Sequence, residues 1–229
     1  MNILFWDIDG TLIRTSRAGL FAFNQAVAEQ WGTQVDFHDI KTSGMTDYSI
    51  GAQIIQKITG REPLSQEISA LTDRYEQLLP SHLTQREGRV MPSVFTVLDE
   101  LKQRPDYQLL LLTGNSRRGA EIKLKYFDLM QYFDFDQSAF CECALKRTDI
   151  SKLAVHKLSL AYEQMSDLRI FVIGDTPNDI HCGKDIDAYT IGIATGNYSV
   201  EQLSSYSPWW AVEQLPAVDV FTKKIAQVW

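Results

Sequence analysis

The sequence of 229 residues has few cysteines, few histidines and no long apolar run, and each shortage excludes a class of protein. The three cysteines, Cys141, Cys143 and Cys182, are an odd number in a long chain, which argues against a disulfide framework. The histidines lack the spacings typical of zinc sites, so zinc is not the expected metal. No apolar stretch approaches the ~18 residues of a membrane-spanning helix, and the apolar opening lacks the basic flank of a signal peptide. We expect a cytoplasmic protein with no membrane partner.

Positive charge is also scarce, because 22 lysines and arginines stand against 29 aspartates and glutamates, for a net charge of −7. Nucleic acids are recognised through clustered Lys and Arg side chains, so no nucleic-acid partner is expected. A small anion needs only local positive potential and is compatible with this balance. The 45% of hydrophobic residues are typical of a globular protein with one large domain, or one domain carrying an insert.

Hydrophobic periodicity divides the chain into an α/β part and a helical part. Residues 2–7 form a short apolar run typical of a buried parallel strand. From residue 16 to residue 86 the apolar positions recur at helical spacing in three stretches. Further on, strands and helices alternate, with strands predicted over 107–112, 138–143, 168–173 and 190–193, and helices over 93–104, 117–127, 152–165 and 177–184.

This order predicts an α/β protein with a Rossmann-like, doubly wound parallel sheet. The core domain is expected over residues 1–15 and 87–229, and an inserted all-helical cap domain over residues 16–86. In such folds an insert at this point lies above the carboxyl edge of the sheet, where ligands bind.

Two carboxylates follow the first predicted strand, in the sequence DIDGTL over residues 7–12. Asp7 and Asp9 stand where the chain turns at a glycine, so both can reach the crevice at the sheet edge. They can share a hard cation such as Mg²⁺, whose preferred ligands are oxygens, and one can attack while the other handles a proton. The alternative is that Asp9 and Gly10 are only a turn.

Polar clusters also follow two later strands. Thr113, Gly114 and Asn115 combine a hydroxyl, a close backbone approach and free N–H groups at a helix start, which favours an anion site, although an ordinary helix cap also fits. Asp175 ends another strand, and Asp179 lies one helical turn further on. Compensation of the helix dipole accounts for one of these two acids and leaves the other unexplained.

Together the clusters resemble the motifs of the haloacid dehalogenase superfamily of phosphotransfer enzymes. Those motifs are Asp-x-Asp-Gly-Thr, a strand followed by Thr or Ser, a Lys or Arg, and Gly-Asp-x-x-x-Asp, and they occur here in order along the whole chain. The resemblance is to phosphoglycolate-phosphatase-like members with a helical cap after the first motif. It implies a Mg²⁺-dependent phosphatase, a phosphoric monoester hydrolase, that acts on a small phosphorylated substrate as a monomer or homodimer.

Carried over by motif, the resemblance implies that Asp7 is the nucleophile that forms an aspartyl-phosphate and that Asp9 is the general acid and base. The implied metal ligands are the Asp7 carboxylate, the Asp9 backbone carbonyl and Asp175, with Asp179 as a ligand or a support. Thr113 and the N–H groups near Gly114 and Asn115 are implied to bind phosphate oxygens. A phosphomutase of the same superfamily and a non-catalytic binding module on the same fold are the alternatives.

The third motif departs from the Lys-Pro of phosphoglycolate-phosphatase-like members, because no proline follows Lys146 here. Lys146 and Arg147 are both candidate phosphate-binding cations. We favour Arg147, because an arginine followed two positions later by an acid resembles related sequences and Asp149 fits. Two solvated charges before a helix are the alternative.

Overall fold

The computed structural model describes residues 1–228 and has a five-stranded parallel sheet, in the order β4-β1-β5-β6-β7, with helices around it. Its strands are β1 (Asn2–Trp6), β2 (Ile13–Arg14), β3 (Arg89–Val90), β4 (Tyr107–Leu111), β5 (Arg169–Gly174), β6 (Tyr189–Ile193) and β7 (Trp210–Val212). Strands β2 and β3 form a separate antiparallel pair. The predicted α/β fold with a parallel sheet is therefore confirmed.

The α-helices are α1 (Ala18–Trp31), α2 (Asp47–Thr59), α3 (Ser65–Thr84), α4 (Val94–Lys102), α5 (Arg117–Tyr126), α6 (Arg147–Ala161), α7 (Pro177–Lys184), α8 (Val200–Ser204) and α9 (Val218–Ile225). Two single turns of 3₁₀ helix are Met130–Tyr132 and Met165–Asp167. Among residues 1–228, none of these helices is long and apolar enough to cross a membrane.

Strand β1 lies between β4 and β5, and this position explains its composition. Leu4 pairs with Leu109 on one side and with Phe171 on the other, so both edges of the strand are hydrogen-bonded. The side chains from Ile3 to Trp6 are fully buried on both faces, as a central parallel strand requires. The residue that follows β1 therefore leaves the sheet at the middle of its carboxyl edge.

Helices α1, α2 and α3 lie together in the chain between β2 and β3, and we call them the helical segment. Gly32 ends α1 with a φ of 65°, a left-handed conformation that favours glycine. Thr46 begins α2, where its hydroxyl accepts a hydrogen bond from the Ser49 N–H. The helical segment falls within the predicted insert, but the division into a core domain and a cap domain stays a prediction.

Two predicted elements were wrong in their extent. The strand expected over 138–143 is reduced to one bridge between Leu112 and Ala139, after which the chain turns away and the Cys141 N–H bonds the Asn115 carbonyl. The helix expected over 152–165 runs instead over Arg147–Ala161, because its first turn is polar and gives no apolar signal. The earlier start brings Arg147 to the edge of the sheet.

Candidate active site

The carboxyl ends of β4, β1 and β5 are neighbours, and each is followed by residues that the sequence analysis singled out. Asp7 follows β1, Thr113 lies beyond β4 and Asp175 follows β5. Asp7 and Asp175 line one cavity of about 460 Å³ between the sheet edge and the helical segment, and Thr113 lies behind its wall. Of the predicted site residues, the cavity is lined by Asp7, Asp9, Gly114, Asn115, Arg147 and Asp175.

Three buried carboxylates lie together beside this cavity, and two of them, Asp7 and Asp175, line it. Asp7, Asp175 and Asp179 each offer an oxygen atom, and these atoms all lie within 4.8 Å of one another. Burial, with the nearby charge of Asp179, raises the pKa of Asp7 from 3.8 to about 7. Burial is also the largest cause that raises the pKa of Asp175 well above its usual range. The cluster therefore holds more negative charge than its surroundings stabilise.

Arg147 is the cation that contacts this cluster. Its Nη1 atom lies 3.3 Å from Asp7 Oδ1, and its Nη2 atom bonds Asp179 Oδ1. Burial alone would lower the pKa of Arg147, but the attraction of Asp179 and Asp7 outweighs it and raises that pKa. Lys146 is exposed and is not among the residues that line the cavity. Only one of the two predicted cations is therefore brought to the carboxylates.

Asp179 has both oxygen atoms engaged by protein groups. Oδ1 is bound by Arg147, while Oδ2 accepts hydrogen bonds from the Thr176 N–H at 3.0 Å and the Thr176 hydroxyl at 2.6 Å. These two bonds cap α7, so the helix-capping role and the contact with Arg147 coexist in one side chain. This arrangement favours Asp179 as a support for its neighbours over a direct metal ligand.

Asp9 lies on the other side of the cavity in a more open position, with 40% of its side chain exposed. Its Oδ2 atom is 2.5 Å from Lys123 Nζ and accepts a hydrogen bond from Asn115 Nδ2 at 3.0 Å. Burial alone would lower the pKa of Lys123, but Asp9 and Asp47 outweigh it and raise that pKa, so the lysine is charged at neutral pH.

The loop after β4 packs against the other residues of the site. Thr113 is fully buried, and its hydroxyl oxygen accepts hydrogen bonds from the Asn115 N–H at 3.3 Å and from Asn115 Nδ2 at 2.9 Å. At Gly114 a β-carbon would come within 3.0 Å of Arg147 Nη1 and would also overlap the Met45 carbonyl group. Any larger residue would collide there, because the loop, the Arg147 side chain and the helical segment all contact one another at this position.

The helical segment contacts the sheet edge through polar groups. The Asp47 N–H bonds the Gly114 carbonyl at 2.8 Å, and Asp47 Oδ2 accepts from the Ser116 N–H at 2.9 Å. The Ser116 hydroxyl, which caps α5, donates to Glu76 Oε1 at 2.5 Å. Burial raises the pKa of Asp47 to about 6. These contacts attach the helical segment to the sheet edge next to the cavity.

Sequence reasoning missed Lys123. Charge did not single it out, because α5 contains four basic residues, Arg117, Arg118, Lys123 and Lys125. The available signal was periodicity, since Lys123 shares one helix face with the buried residues Ala120 and Leu124. A lysine on an apolar face needs a carboxylate partner, which Asp9 supplies here.

Comparison with known proteins agrees with this arrangement. A family model for haloacid dehalogenase-like hydrolases matches residues 3–193. The pyrophosphatase PpaX of Anoxybacillus flavithermus is 21% identical over 221 residues, which are 94% of each chain. A HAD hydrolase of family IA, variant 3, from Entamoeba histolytica is 20% identical and superposes with a TM-score of 0.71 over 97% of this chain and 100% of that one. A predicted phosphatase from Clostridium acetobutylicum is also 20% identical, with a TM-score of 0.70 over 99% of both chains.

The structural likenesses show the shared fold, and the family model extends from β1 through β6, so it includes every strand end that lines the cavity. The chain is therefore an enzyme that belongs to the haloacid dehalogenase-like hydrolase family.

Proposed function

We propose that the protein is a Mg²⁺-dependent phosphatase that hydrolyses a small phosphomonoester through an aspartyl-phosphate on Asp7, with Asp9 as general acid and base. One observation carries the proposal: a buried carboxylate beside a guanidinium and a more open carboxylate line the same cavity. Phosphoryl transfer needs in-line positioning and neutralisation of charge, and this arrangement can supply both. The pyrophosphatase and phosphatase named above support the same class of reaction.

The donor set fits Mg²⁺. Asp7 and Asp175 present carboxylate oxygens at the cavity, and oxygen ligands are the ones that this ion prefers. Burial raises the pKa of both carboxyl groups, so a bound cation would favour their ionised forms. We propose Asp7, Asp175 and the backbone carbonyl of Asp9 as ligands, with Asp179 holding Arg147 in place. When bound, the ion would neutralise negative charge at the transferring phosphoryl group.

Asp7 would attack phosphorus, and the leaving oxygen would separate as the new bond forms. Arg147, which contacts Asp7 Oδ1, has the planar fork that pairs with phosphate oxygens as well as with a carboxylate. The backbone near Gly114 and Asn115 lines the same cavity and would contact the phosphate from the other side. The assignment of Thr113 to phosphate stays a prediction, because Thr113 is not among the residues that line the cavity.

Asp9 would protonate the leaving oxygen in the first step. In the second step the same carboxylate would remove a proton from the water molecule that attacks the aspartyl-phosphate, which releases inorganic phosphate and regenerates Asp7. Asp9 is suited to both steps because part of its side chain is exposed to the cavity.

We also propose a cytoplasmic location, on the basis of three unpaired thiols, and a small phosphorylated molecule as the partner. The cavity of about 460 Å³ fits a substrate of that size.

The test is a turnover screen against small phosphomonoesters and p-nitrophenyl phosphate. Phosphate release with Mg²⁺, its loss in EDTA and its return on adding Mg²⁺ are the expected results. Undiminished turnover in EDTA would contradict the metal assignment. Transfer of the phosphoryl group to a second position on the substrate, without release of phosphate, would identify a phosphomutase, and no turnover of any ester would favour a binding module.

A further inference from the structure

Lys123 forms a closed set of contacts with the two residues beside it in the cavity. Its Nζ atom lies 2.5 Å from Asp9 Oδ2 and 2.5 Å from Asn115 Oδ1, while Asn115 Nδ2 donates to Asp9 Oδ2 at 3.0 Å. Only 5% of the Lys123 side chain is exposed, so these contacts take the place of water. We call Lys123 and Asn115 the Asp9 bracket, because both donate to the same oxygen atom of Asp9.

The bracket holds Asp9 asymmetrically. Both donors bind Oδ2, and across residues 1–228 no hydrogen bond to Oδ1 is found. The carboxylate is nevertheless 40% exposed, and Asp9 lines the cavity. A carboxylate fixed through one oxygen presents the other in a defined direction, which is what proton transfer to a bound ligand requires.

We propose that Lys123 is a positioning residue that fixes Asp9 through Oδ2, so that Oδ1 is the atom that gives and takes the proton; this inference rests on the proposed function. A lysine is suited to the role because its compact ammonium group has three donors and can bond two acceptors at once. The residue would act through Asp9, without contacting the reacting phosphorus.

The leaving group of the substrate provides the test. A positioned acid matters most when the leaving oxygen is basic, as in an alkyl phosphate, and little when it departs as a stable anion, as in p-nitrophenyl phosphate. The value of kcat/KM reports steps up to the departure of the leaving group and so isolates the first proton transfer. Lys123→Met removes the ammonium group and keeps a side chain of similar length.

We expect Lys123→Met to lower kcat/KM for an alkyl phosphate by about 10- to 100-fold, but for p-nitrophenyl phosphate by less than about 3-fold. In an Asp9→Asn background the same substitution should add less than about 2-fold on the alkyl phosphate, because residues that act as a unit are not additive. Lys125→Met is the matched control, since Lys125 is exposed on the same helix and pairs with Glu121 one turn before it; it should change neither value.

Equal losses on the two substrates, or a full additional loss in the Asp9→Asn background, would overturn the inference and leave Lys123 a structural residue. If Lys123→Met does not fold, as judged by circular dichroism, Lys123→Gln takes its place, because it keeps a hydrogen-bond donor without the charge. The kcat/KM losses of that variant on the alkyl phosphate and on p-nitrophenyl phosphate are then compared in the same way. Absence of turnover by the unmodified protein would overturn the proposed function itself, and that result is read before any variant is compared.

Discussion

The two sides of the cavity differ in how their charges are balanced. On the buried side, the carboxylates of Asp7, Asp175 and Asp179 face one guanidinium, that of Arg147. On the open side, Asp9 has one ammonium group beside it, that of Lys123. Burying a charge without a partner is costly, so three carboxylates beside one guanidinium leave the first side short of positive charge, whereas Asp9 itself is paired one to one with an ammonium group.

The pKa values follow the same division. Burial and like charges raise the pKa of Asp7 to about 7, which means that its ionised form is poorly stabilised. The pKa of Lys123 is raised despite its burial, which means that the carboxylates around it stabilise its charge. A cation bound on the buried side would favour the ionised form of Asp7 that the proposed nucleophile requires, while Asp9 already has a cation beside it.

The largest loss of activity should come from substituting the catalytic carboxylate on each side of the cavity. Asp7→Asn removes the nucleophile and should lower kcat by more than about 10⁴-fold. Asp9→Asn keeps the nucleophile and should lower kcat by about 10²–10⁴-fold, the usual range for general acid–base catalysis. Steady-state kinetics on both variants, after circular dichroism has shown that they fold, measure the difference. Equal residual activity would contradict the division of roles.

The cation of the buried side should matter next. Arg147→Ala leaves two buried carboxylates without their partner and should cost about 2–5 kcal/mol in kcat/KM. Lys146→Ala is the matched control, because the neighbouring lysine is exposed and a solvated charge contributes under ~1 kcal/mol. The opposite ranking would assign the third motif to Lys146, and small losses in both would mean that another cation binds the phosphate.

The smallest effect should be a pH dependence of the stabilisation by Mg²⁺, which the raised pKa of Asp7 on the buried side explains. The pKa of Asp7 is 3.8 in its ordinary state and about 7 in the folded chain, so the folded state binds more protons between these values. Without metal, the contribution of Asp7 to stability is present at low pH and is lost as the pH rises toward 7. The increase in Tm on exchanging EDTA for Mg²⁺ should therefore be larger at pH 8 than at pH 5. An equal or larger increase at pH 5 would contradict the assignment.

The two sides also differed in how far the sequence could predict them. Asp7 and Asp175 follow apolar strands directly, so their place at the sheet edge follows from strand order alone. Arg147 was favoured through a family resemblance, although the polar first turn of α6 concealed the start of the helix that carries it. Local pattern was sufficient here because each residue adjoins the element that positions it.

Lys123 and Asp47 could not be assigned in this way. Their partners lie far away in the chain. Asp9 lies 114 residues before Lys123, and Ser116 lies 69 residues after Asp47. Such contacts depend on how the helical segment packs on the sheet edge, which periodicity does not define. The strand predicted over 138–143 failed for a related reason, because apolar residues there follow the sheet for one bridge only.

Equilibrium dialysis of Mg²⁺ against three forms of the protein tests the central difference between the two sides most directly. The unmodified chain should bind one ion, Asp175→Asn should lose most of that binding, and Lys123→Met should retain it, because the ammonium group contacts Asp9 Oδ2 and Asn115 Oδ1 and not the buried carboxylates. Binding that persists unchanged in Asp175→Asn, or no binding by the unmodified chain at millimolar Mg²⁺, would contradict the account.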